Sequence, residues 1–137
     1  MKRVAIDTNV LISLVTDRNR EQQEQAARLF DAALHSQLTI ICHQHVITEF
    51  VYVLNKVYNQ EPRAINAMLR DLMATPGVEV AHELDHQRLL DIWPASCDEY
   101  GDAVLLAYCK GRRDVALATF DRKLLGHARA LGVKVHG

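Results

Sequence analysis

Apolar residues recur along the chain in two alternating rhythms, and the order of those rhythms predicts the fold. Val4 to Ile6 is a short apolar run that stops at Asp7-Thr8-Asn9, whose short side-chain oxygens suit the entry to a helix over Val10 to Val15. After the charged stretch Asp17 to Gln25, residues Ala26, Ala27, Leu29, Phe30, Ala33 and Leu34 fall at helical spacing. Leu38 to Cys42 is short, β-branched and apolar, as a buried strand should be. From His45 to Tyr58 the apolar positions Val46, Ile47, Phe50, Val51, Leu54 and Val57 define a second helix, and Glu61-Pro62 opens a third that runs to about Met73. These two predict a helical hairpin.

The same alternation continues to the end. Thr75-Pro76-Gly77 reads as a turn, Val78 to Ala81 as a strand, and Asp85 to Trp93 as a short helix stopped by Pro94. Asp98 to Cys109 predicts a helix closed by Gly111, Val115 to Ala118 a strand, and Lys123 to Leu131 a helix with Gly132 at its C-terminal cap. Val133 to Val135 predicts a last short strand. Strands that alternate with helices indicate a three-layer α/β/α sandwich with a central parallel sheet of four or five strands.

Composition fits that architecture. A chain of 137 residues that is 49% hydrophobic can bury a core of its own, so residues 1–137 are expected to form a single domain. Cys42, Cys97 and Cys109 are odd in number and match neither a zinc-site nor a disulfide spacing, which makes them buried thiols in a reducing compartment. The apolar run near the N-terminus is cut by Asp7 and Asn9 before it reaches the length of a signal-peptide core or a membrane span. A soluble, cytoplasmic protein is the expectation.

Chemistry enters through the positions of the acids. In a parallel sheet with crossover helices, the C-terminal ends of the strands and the starts of the following helices share one edge, where ligands bind. Asp7 ends the first strand, Asp121 follows the fourth, and Asp102 lies in the first turns of the helix before that strand. Glu49 lies about one turn into the helix after the second strand. Four carboxylates at one edge repel each other, and a divalent cation relieves that cost. Oxygen-only ligands, with no converging set of histidine and cysteine, favour Mg²⁺ or Mn²⁺ over Zn²⁺. Such ions activate water and stabilise charge on a phosphodiester, with Thr8, Thr119 and Asn9 placed to hold the carboxylates.

Plainer roles compete for each residue. Asp7 and Asp121 each suit a helix cap, though Glu49, a charge inside an otherwise apolar helix, is hard to explain that way. His43 and His45 form an HxH pair that fits either the cleft mouth or a helix start. Lys110, Arg112 and Arg113 fit a solvated helix C-terminus better than an RNA patch, whereas Arg122 and Lys123, next to Asp121, are the favoured phosphate contacts. Trp93 is assigned to the core. A net charge of −1 argues against nucleic-acid binding. Setting the four proposed ligands aside leaves the remaining surface slightly basic.

Four segments, VAIDTNVLISL from Val4, ITEFVYVL from Ile47, DEYGDAVLLAYC from Asp98 and ALATFDRKLL from Ala116, together resemble the PIN-domain family over nearly the whole chain. Their order and spacing are similar to small prokaryotic members, many of them toxins of the VapC type. The resemblance implies a metal-dependent ribonuclease that leaves 5′-phosphate and 3′-hydroxyl ends, often with an antitoxin partner and as a homodimer. It assigns the acid roles to Asp7, Glu49, Asp102 and Asp121, and Asp98 matches an acid of some members while also suiting a helix cap. Alternatives are an RNA-processing nuclease of the same fold without an antitoxin, and a non-catalytic RNA- or protein-binding module, which retention of all four acids opposes. A phosphotransfer domain of receiver or dehalogenase type is disfavoured by Asn9 and by His82-Glu83 after the third strand.

Overall fold

The structure, a computed structural model, describes residues 2–137. Four strands, β1 (Lys2–Ile6), β2 (Leu38–His43), β3 (Val78–Ala81) and β4 (Val115–Ala118), form one parallel sheet in the order β3-β2-β1-β4. Val4, Ala5 and Ile6 are wholly buried and β4 is buried along its length, as strands covered on both faces must be.

Seven helices cover the sheet among the described residues: α1 (Thr8–Val15), α2 (Arg20–Leu34), α3 (Gln44–Lys56), α4 (Pro62–Ala74), α5 (His86–Ile92), α6 (Tyr100–Lys110) and α7 (Arg122–Ala130). Strand order steps outward from β1 to β3, so right-handed crossovers put α1 to α4 on one face; the return to β4 puts α5 and α6 on the other. Phe50, Leu11, Phe30 and Met68 accordingly meet where the first four helices converge. Helix α6 is the most enclosed, with every residue from Ala103 to Cys109 buried, so its start is held rigidly against the sheet.

Two elements and one burial assignment differ from the sequence reading. Val133 to Val135 does not form a strand: Leu117 donates to Lys134 O at 2.8 Å and accepts from His136 N at 2.8 Å, which makes one bridge to Val135 and no more. Helix α6 starts at Tyr100, with Glu99 rather than Asp98 in the capping position. Trp93 is half-buried instead of core; its indole N–H donates to Asp98 O at 3.0 Å and its ring meets Tyr100 edge-on at 5.1 Å. The three cysteines are free and buried, and burial pushes the Cys42 and Cys109 thiols up to about 12, which leaves them unreactive.

Candidate active site

Asp7 sits where β1 gives way to α1, and all its oxygens are engaged. Oδ1 accepts from Thr8 N at 2.7 Å, while Oδ2 accepts from the Thr119 hydroxyl at 2.7 Å and from Asn9 Nδ2 at 3.2 Å. Asn9 Nδ2 also reaches Thr119 Oγ1 at 3.2 Å, and its Oδ1 accepts from Phe120 N at 3.2 Å. This clasp joins the β1–α1 turn to the β4–α7 turn. Thr8, Asn9 and Thr119 thus hold the acids in place. Burial raises the Asp7 carboxyl above the ordinary range; the bonds from Thr119 and Thr8 pull it back, and Glu49 and Asp121 push it up again.

Glu49 is approached from two helices. Oε2 accepts from the Thr8 hydroxyl at 3.1 Å, and Oε1 pairs closely with His45 Nε2 one turn earlier on α3. That pair holds Glu49 below the usual carboxylate range and raises His45, in each case first through the hydrogen bond they share. Of the two places the sequence offered the HxH pair, His45 takes the cleft and His43 the helix start. Gly101 makes the approach possible: a Cβ there would lie 2.5 Å from Glu49 Oε1 and 2.7 Å from His45 Nε2. Both obstructing atoms end flexible side chains, so Gly101→Ala is expected to fold with stability within about 1 kcal/mol of the parent. It should displace the Glu49–His45 pair, which NMR titration of the His45 imidazole would register as a fall toward its ordinary pKa.

Asp102, on the first turn of α6, is pushed up to about 7, first by burial and then by the charges of Asp7, Asp121, Glu99 and Glu49. Asp121 caps α7, where its Oδ1 accepts from Lys123 N at 2.9 Å and Leu124 N at 3.3 Å. Asp7 likewise caps α1. The capping roles and a place at the shared edge are therefore compatible. Asp7, Glu49, Asp102 and Asp121 all line one open cavity of about 330 Å³ at the C-terminal edge of the sheet.

The other residues singled out by sequence fall elsewhere. Asp98 pairs with Lys123 at 3.0 Å, so Lys123 is already committed to a carboxylate; Arg122 is exposed. Arg18, which the sequence reading missed, lines the acidic cavity and donates to Asn9 O at 3.2 Å and to Ser13 Oγ at 3.0 Å. His43 caps α3 through Nδ1, and its Nε2–H donates to Glu83 O at 2.9 Å. Lys110 donates to Leu131 O at 2.7 Å and Arg112 stacks on Tyr108 at 4.0 Å, so both are bound up near the end of α6.

Among the described residues, no three Asp, Glu, His or Cys side chains are gathered tightly enough to hold a metal ion by themselves. Glu49 is drawn toward His45 and Asp121 toward the start of α7. The donor set still fits a hard cation that keeps several of its waters, as Mg²⁺ does when one or two carboxylates bind it directly. It does not fit a closed cage of protein ligands.

A three-layer α/β sandwich with a carboxylate-rich cleft beyond the ends of its parallel strands defines an α/β class whose ligands enter at that edge. The chain belongs to the PIN-domain family, whose model matches residues 4–130, and PIN domains are typically nucleases. No curated protein matches the sequence. Among the described residues, no helix is long and apolar enough to cross a membrane.

Proposed function

We propose that this chain is a Mg²⁺- or Mn²⁺-dependent endoribonuclease that hydrolyses RNA phosphodiester bonds at Asp7, Glu49, Asp102 and Asp121. One observation carries the reading: four acids from four separate parts of the sequence line a single cavity, where burial first and the neighbouring charges second push Asp102 up to about 7. A hard cation bound there would supply charge neutralisation, an acidified water and stabilisation of the developing phosphorane charge. Asp7 and Asp102 are the residues assigned to hold it, with Glu49 and Asp121 completing the site.

The chain's own groups then divide the remaining work. Thr8, Asn9 and Thr119 fix Asp7 in one orientation, so no rearrangement is needed when substrate arrives. His45 keeps Glu49 ionised, and Oε2, which takes one bond from the Thr8 hydroxyl, has a second lone pair with which to accept a hydrogen bond from water. Arg18, exposed at the lip, presents a cation to a phosphate that must otherwise approach a negative cleft.

The proposal extends to biology: a single-domain cytoplasmic toxin of a toxin–antitoxin pair, acting as a homodimer. An apolar groove of about 470 Å³ between α3 and α4, floored by Val51, Ile65 and Leu69 and flanked by exposed Tyr52, supports a protein partner on that hairpin. The test is incubation of purified protein with mixed RNA, with and without Mg²⁺ or Mn²⁺. Cleavage only with metal, leaving 5′-phosphate ends, is the expected result; cleavage that survives chelation would overturn the mechanism. Growth arrest on expression, relieved by a small protein encoded next door, would establish the toxin role, and absence of arrest would favour RNA processing.

A further inference from the structure

A second cavity, of about 340 Å³, lies across the Asn9–Thr119 clasp from the carboxylates, between α2 and the β4–α7 turn. Its existence follows from small residues: Ala26 and Ala32 on α2 face Ala118 on β4, and three methyl groups cannot fill the space between helix and sheet. Its volume lies in the range of about 300–1,000 Å³ typical of small-molecule sites. Thr119 links the two cavities: it lines this one, and its hydroxyl donates at 2.7 Å to Asp7, which lines the other.

The lining has a distinct chemical division. Val10, Leu29, Ala118 and the ring of Phe120 offer apolar walls, whereas Gln25, Arg28 and His136 supply polar groups. His136 is partly buried; its Nδ1 is closed off from solvent, so Nε2 is the ring nitrogen left to meet a ligand. Burial and the nearby Lys2 hold this imidazole below its ordinary pKa, so it stays neutral at physiological pH and can either donate or accept. A flat heteroaromatic ring with apolar faces and a mixed donor and acceptor edge matches such a lining.

We propose that this cavity receives a nucleobase of the RNA, from the nucleotide next to the phosphodiester held at the carboxylates. The proposal rests on the nuclease reading for its substrate. Gln25 and His136 would read the edge of the base, Phe120 and Leu29 would contact its faces, and Arg28 at the rim would meet the backbone. The site would then set which base stands beside the cut.

The four common ribonucleosides, which carry no phosphate, separate this idea from hydrolysis. Titrated at millimolar concentration into the full chain, at least one is expected to shift the amide resonances of Ala32, Phe120 and His136. Ala32→Phe, which fills the cavity from α2, should abolish the shifts, and His136→Ala, which leaves the packed core untouched, should weaken binding about tenfold, the worth of one buried hydrogen bond. In RNA cleavage, Ala32→Phe should cut with a flattened preference at the base beside the cut. No shift with any nucleoside, equal binding by Ala32→Phe, or an unchanged cleavage preference would overturn the proposal. Metal-dependent cutting in the same samples reports separately on the carboxylates.

Discussion

Asp102→Asn is expected to lower metal-dependent RNA cleavage at least about a thousandfold, the equivalent of about 4 kcal/mol of lost charge stabilisation, and at the same time to raise the Tm of the metal-free protein. The two effects have one cause. Asp102 is pushed up to about 7 because its charge is half-buried beside Asp7, Asp121, Glu99 and Glu49, so its ionised form opposes folding. Discounted for its partial exposure to solvent, removal of that charge should contribute on the order of 1 kcal/mol, or about 3–5 °C in Tm for a chain of this size.

The pH dependence has a definite sign. Because the folded pKa lies above the ordinary 3.8, the folded state holds its proton more tightly than the unfolded one. The contribution is full below about pH 4 and is lost as pH rises through about 7. Asp7, also raised, acts in the same direction. Metal-free thermal melts across this window should fall in the parent and flatten in Asp102→Asn, and a parent curve that rises instead would remove the crowding argument.

Asp7→Asn is expected to abolish cleavage to a similar extent but to destabilise the fold, by about 1–3 kcal/mol in chemical denaturation. Here hydrogen bonding outweighs the relief of repulsion. Both Asp7 oxygens accept bonds, from Thr8 N on one side and from Thr119 and Asn9 on the other, so an amide must turn its NH₂ toward a donor. The Thr119 hydroxyl cannot easily reverse, because it already accepts from Asn9 Nδ2 and from Asp121 N at 3.0 Å. Two neighbouring acid-to-amide changes should therefore move stability in opposite directions. A stabilised Asp7→Asn would show that the clasp contributes less than the geometry implies.

Chain order was enough to bring Asp7, Asp102 and Asp121 to one edge, because parallel strands with crossover helices leave those positions no other place. Glu49 followed from its conflict with an apolar helix face. What sequence order did not carry was where flexible side chains point. Arg18 folds back onto Asn9 O through a loop whose path no periodicity describes, and Lys123 turns away from the cleft because Asp98 lies within reach across the α6 entry. The His45–Glu49 pair did leave a signal in sequence, its i, i+4 spacing on one helix. Val133 to Val135 had strand-like residues, but one bridge to Leu117 is all that the segment after Gly132 forms.

The claim beneath the nuclease reading is that these carboxylates share a cleft whose charge is balanced by a divalent cation. Calorimetric titration of Mn²⁺ into the metal-free protein near neutral pH measures that balance without any RNA. Saturable binding that releases protons, as Asp102 surrenders its own, and that disappears in Asp102→Asn is the expected result. Absence of binding in the parent, or undiminished binding in the variant, would contradict it.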